Sequence, residues 1–148
     1  MSASQARQPT FQPTLLVFVP KSFGPSQEDT AVENAESMMV QTGVKARCIS
    51  SAAWFKQSFP QHGNWDTWIW ETVHGRDYTT RTLNFHGFVV VGKDVGRATA
   101  SIVKTALQSA RVVLAMVDDT LYAVTDVAEQ DNNRWSNGWT LVLAAIGE

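Results

Sequence analysis

Phe88-Val89-Val90-Val91, then Gly92-Lys93-Asp94-Val95-Gly96-Arg97-Ala98-Thr99, then an apolar set at Ile102, Val103, Ala106, Leu107 and Ala110, decide the fold class of this chain. An unbroken apolar run is the mark of a strand covered on both faces, because a strand with one wet face alternates polar and apolar residues. Gly92 ends that run. The later apolar positions recur every three or four residues, which predicts a helix from Arg97 to Ser109 with Ala110 on its inner face. Val112 to Val117 follows as another apolar strand, closed by Asp118-Asp119.

The same order stands upstream. Leu15 to Val19 reads as a central strand closed by Pro20, and the loop from Pro20 to Pro25 carries Gly24. Ser26 then starts a helix, with Glu28 and Asp29 suited to the positive end of its dipole. Ala31, Val32, Ala35, Met38 and Met39 give that helix, from about Gln27 to Thr42, its inner face, and Gly43 is placed to end it in the left-handed conformation. Val44 to Ile49 reads as the next strand. Two strand–helix–strand units with continuous apolar strands predict an α/β chain, a three-layer Rossmann-like sandwich on a mostly parallel sheet. Leu121 to Val127 is extended in character, Glu129 to Ser136 is a polar loop and Gly138 to Ala145 is a last strand, so the closing part can add an antiparallel edge.

Residues 1–13, rich in Ser, Gln, Ala and Pro, read as a flexible arm before a single domain at 14–148. Within that domain a segment at 50–86 holds Trp54, Trp65, Trp68 and Trp70, with short helices expected at Ala52 to Ser58 and Trp65 to Val73. A length of 148 residues and 44% hydrophobic content suit one core. A net charge of −2 without long basic runs disfavours nucleic acid as the main partner. The only cysteine, Cys48, excludes an internal disulfide, and with no apolar leader or long apolar run the expected setting is cytoplasmic, away from membranes.

In parallel sheets ligands sit beyond the carboxyl ends of the strands, where loops and helix starts converge. Two loops meet that requirement. One supplies Lys21, Ser22 and Gly24, the other Gly92, Lys93, Asp94, Gly96, Arg97 and Thr99. In the second, paired glycines would admit a ligand close to the backbone, free amides at the helix start would favour an anion, and Lys93 and Arg97 would add charge. The same glycines equally suit a plain turn. Asp118 could orient a hydroxyl or act as an acid or base, although paired Asp is turn chemistry first. No histidine can be set beside Ser22 as a base. His62, His74 and His86, twelve residues apart, match no ligand spacing, so neither a metal nor a cofactor is expected.

The stretch from Phe88 to Val124, with its strand, Gly96-Arg97-Ala98-Thr99, helix and acidic turn, resembles the nucleoside deoxyribosyltransferase-like and lysine-decarboxylase-like (SLOG) Rossmannoid group. That resemblance implies a nucleotide or its ribose phosphate above the helix start, and a glutamate three residues after the threonine. Here Ala98 stands for the second glycine and Ile102 for the glutamate. The expectation is therefore non-catalytic binding of a nucleotide-derived or phosphorylated small molecule. Two alternatives stand beside it. One is hydrolysis or transfer at a nucleoside N-glycosidic bond, using Asp94 or Asp118. The other is an interaction or assembly protein, viral in one version and homo-oligomeric, that uses the arm and the Trp-rich segment, with Trp135 and Trp139 at a cleft or contact.

Overall fold

A computed structural model describes residues 13–20, 23–58, 82–129 and 138–146. In chain order the elements are β1 (Thr14–Phe18), α1 (Pro25–Gln41), β2 (Arg47–Ser50), α2 (Ser51–Ser58), β3 (Gly87–Val91), β4 (Asp94–Val95), α3 (Arg97–Gln108), β5 (Val112–Val117), β6 (Thr120–Glu129) and β7 (Trp139–Ala145). Among the described residues the strands form one mixed sheet in the order β2-β1-β3-β5-β6-β7-β4. Its core is parallel, from β2 through β1 and β3 to β5. The antiparallel edge that the sequence left open is three strands wide, with β6 on β5, β7 on β6 and β4 on β7.

Alternate residues of the central strands serve opposite faces, as a period of two requires. Leu15, Val17, Val89 and Leu114 meet Ala31, Ala35 and Met39 of α1. Leu16, Phe18, Phe88, Val90, Val113 and Ala115 meet Ile102, Val103 and Ala106 of α3. Both faces of the two central strands β1 and β3 are dry, which is why they carry no polar alternation.

The antiparallel half turns back on its own beginning. Only Gly92 and Lys93 separate β3 from β4, yet three strands stand between them in the sheet. Gly92, at φ +88°, makes the bend; its amide still donates to Met116 O at 2.8 Å, while Lys93 O accepts from Leu141 N at 2.8 Å. One chain segment thus bonds β5 with its first part and β7 with its second, so the sheet must curl between them. A register shift interrupts the pairing of β6 with β7 between Val124 and Asp126, the kind of irregularity that bends a strand. Val95, Val124, Val127 and Leu141 are gathered into the core that α3 covers.

Helix ends depart from the expected boundaries for local reasons. Gly24 rather than Ser26 is the N-cap of α1, because Pro25 supplies the first helical residue, and the Gln27 side chain accepts from Gly24 N at 2.9 Å. At the other end Gly43 takes φ +88°, and the bonds Gly43 N to Val40 O (2.9 Å) and Val44 N to Met39 O (3.1 Å) close a Schellman motif. Strand β2 begins at Arg47, three residues later than Val44, since the first residues after Gly43 complete that motif.

Ala110 is not on the inner face of α3. It is exposed at φ +60°, and the bond from Arg111 N to Ala106 O at 2.9 Å makes it the left-handed closing residue of the helix, which ends at Gln108. A side chain with a Cβ is strained there. Ala110→Gly is therefore expected to stabilise the fold by about 1 kcal/mol, read as a higher denaturation midpoint at unchanged slope. An unchanged or lower midpoint would contradict this geometry.

Candidate functional site

A cleft of about 490 Å³ opens between α1 and the carboxyl ends of β3 and β5. Its α1 wall is the stripe Ser26, Thr30, Asn34 and Met38, with Gln27 and Ala31 beside it and Phe23 just ahead of the helix. The opposite wall is Val91 at the end of β3, Met116 near the end of β5, and the β5–β6 turn with Asp118 and Asp119. The sheet reverses its order of construction nearby: β1 leads through α1 to β2 on one side, while β3 lies on the other. Crevices at such reversals are where open α/β sheets bind ligands.

The acidic wall has a defined conformation. Val117 pairs with Thr120, leaving Asp118 and Asp119 as a two-residue loop at φ 50° and 62°. Two positive φ values in a two-residue hairpin make a type I′ turn, where glycine, asparagine and aspartate are the usual residues. Here both places are carboxylates, exposed, and among the described residues neither side chain takes a hydrogen bond or an ion pair. On the facing wall the Thr30 hydroxyl donates to Ser26 O at 3.0 Å and keeps its lone pairs for an incoming donor. Glu28 points elsewhere, accepting from the Ser50 hydroxyl at 3.2 Å.

Of the residues picked out in the sequence, Asp118 alone among the described residues lines this cleft; Gly24, the cap of α1, does not. Gly92, Lys93, Asp94, Gly96, Arg97 and Thr99 do not line it. Asp94 belongs to β4, where its carboxylate accepts from the Thr140 hydroxyl at 3.1 Å. Lys93 and Arg97 are exposed, and Thr99 is half-buried in the first turn of α3. Gly96 caps α3 in an extended conformation, φ −79° and ψ 171°, with open space where a Cβ would stand, so neither its backbone nor its surroundings require glycine. α3 covers the face opposite to α1, and its start is thus separated from the cleft by the sheet.

Lys21 and Ser22 lie outside the described residues, as do the arm at 1–12, His62, His74, Trp65, Trp68, Trp70, Trp135 and the expected helix from Trp65 to Val73. His86 is tied to the fold: its Nδ1 accepts from Thr14 N at 2.9 Å. Trp54 packs edge-on against Phe85 at 5.6 Å, and Trp139 receives the Lys104 ammonium over its ring at 5.2 Å. Cys48 is buried, and burial first, the Glu36 carboxylate second, push its thiol up to about 12, which leaves it protonated and unreactive at neutral pH. Among the described residues no helix is long and apolar enough to cross a membrane.

The α1 wall was missed in the sequence, although a signal for it exists. Ser26, Thr30, Asn34 and Met38 are spaced by four, so they form one uncharged stripe on a helix whose other exposed positions include Asp29 and Glu33. Comparison with family models, with curated proteins and with solved structures finds no match to this chain.

Proposed function

We propose that this chain is a non-catalytic binding module, Rossmann-like in its parallel half, that holds a small molecule in the cleft between α1 and the ends of β3 and β5. The observation that carries this is the conjunction of a roomy hollow at the carboxyl ends of parallel strands with two carboxylates on the type I′ turn at its rim. Support for the absence of catalysis comes from Ile102, which stands where the resembling group carries its glutamate and is fully buried in the core under α3, away from the cleft.

Two ligand classes meet the chemistry of the walls. A nucleotide-derived molecule, the class the resemblance implies, would donate its ribose hydroxyls to Asp118 and Asp119. An organic amine would place its ammonium there. A thermal-shift panel of nucleosides, nucleotides, sugar phosphates and organic amines is expected to contain a compound that raises the melting temperature of the full chain. Asn34→Trp, which fills the cleft from an exposed helical position, is expected to abolish that shift while leaving the unliganded melting temperature within about 2 °C, since exposed substitutions change stability by less than about 0.5 kcal/mol. A shift that survives Asn34→Trp would move the ligand out of this cleft.

A further inference from the structure

We propose that Glu36 keeps the outer edge of β2 closed, so that this chain does not pair through β2 with a second copy of itself. The proposal concerns the sheet edge and is independent of the cleft. An open strand edge presents unpaired N–H and C=O groups on which another chain can add as a strand. The described sheet ends in β4 on one side and β2 on the other. β4 is two residues long, too short to template a strand, while β2 runs for four and pairs on its inner side with β1. Arg47 N donates inward to Pro13 O at 2.9 Å, so by the alternation of a strand the amides of Cys48 and Ser50 face outward. The Cys48 amide is closed to another chain, because it donates to Glu36 Oε2 at 2.8 Å. Its carbonyl, on the same outward side, accepts nothing among the described residues. Ser50 ends the strand at once: its hydroxyl accepts from Ala53 N at 3.1 Å in the first turn of α2 and donates to Glu28 Oε1 at 3.2 Å. Glu28, Val32 and Glu36 are spaced by four and half-buried, one stripe of α1 that lies along β2 and reaches Ser50 and Cys48 with its two carboxylates. Two copies of β2 related by a two-fold axis at Cys48 would run antiparallel and exchange that residue's N–H and C=O with its counterpart. Glu36 holds the donor in each copy, and a charge-assisted bond of this kind is stronger than the neutral one that would replace it.

Glu36→Ala removes the acceptor and frees the amide. Sedimentation velocity of the full chain over a wide range of concentration, with reductant to keep Cys48 a thiol, is expected to show a dimer that forms about a hundredfold more tightly than any wild-type dimer, about tenfold for each of the two released bonds. Glu36→Gln, whose amide oxygen still accepts, is expected to behave as the wild type. Glu36→Met keeps the length of the stem over the strand without an oxygen acceptor, and repeats the test where alanine leaves α1 poorly seated. Residue-resolved amide hydrogen exchange locates the contact: the Cys48 amide is protected in the wild type at every concentration, exchanges freely in dilute Glu36→Ala, and becomes protected as that variant associates. A Glu36→Ala that stays as monomeric as the wild type, a Glu36→Gln that associates equally, or an association that leaves the Cys48 amide unprotected, as one driven by unfolding does, overturns the proposal. Loss of the fold in both Glu36→Ala and Glu36→Met overturns it too, since the bond would then serve the fold rather than the edge.

Discussion

Ile102→Glu, the substitution that restores the glutamate of the resembling Rossmannoid group, is expected to unfold this protein at neutral pH and to confer no activity. Ile102 is fully buried, enclosed by the face of the sheet that carries Leu16, Phe18 and Phe88. Removing an aliphatic side chain of this size from a core costs about 2–5 kcal/mol, and a carboxylate placed there has no described partner of opposite charge in the cluster. Such a group neutralises by raising its pKa by up to about 3–5 units, each worth about 1.4 kcal/mol at pH 7. Together these losses match the whole stability of a typical domain, about 5–15 kcal/mol.

The sign of the pH dependence follows. A folded-state pKa raised above the unfolded value near 4.3 means that residual stability is complete below about pH 4 and is lost as pH rises through the folded value. Circular dichroism of the variant between pH 4 and pH 8 should therefore show structure recovered on the acid side relative to the wild type at each pH, with Ile102→Met close to wild type throughout. A variant that melts like the wild type at pH 7 would mean that Ile102 faces water or the cleft, and would reopen the catalytic alternative.

Phe88→Ala is expected to cost about 3–5 kcal/mol. Phe88 is 1% exposed, lies in the middle of the parallel core between β1 and β5, and stacks on Phe18 with ring centroids 5.8 Å apart and planes at 26°. Both rings belong to the face that α3 covers. Truncation leaves a hole that strands on either side cannot close without breaking their register, so relaxation recovers little of the loss. Urea denaturation should show a lower midpoint at unchanged slope. A loss below about 1 kcal/mol, the range of a surface site, would contradict the packing of this layer.

The parallel half of this protein was legible before any coordinates because both of its faces are dry. Leu15 to Val19, Phe88 to Val91 and Val113 to Val117 pack into the two clusters that α3 and α1 cover, and that demand for apolar side chains is written into the chain. Local chemistry likewise announced the end of α1 at Gly43 and the turn at Asp118-Asp119. What local chemistry could not announce was which partner each segment would find. Asp94-Val95 looks like part of a glycine turn, and becomes a strand because the sheet curls until β7 arrives beside it. Gly96, with its neighbours at the start of α3, suggested an anion cradle from residue types alone, whereas the face on which a helix start lies is settled by which side of the sheet the helix covers. The same holds for the cleft: Ser26, Thr30 and Asn34 are separated from Asp118 and Asp119 by most of the chain, and only the packing of α1 over the ends of β3 and β5 sets them across one hollow. Periodicity is a local property that the chain carries with it, while the meeting of distant walls depends on long-range closure of the sheet, which no single segment encodes.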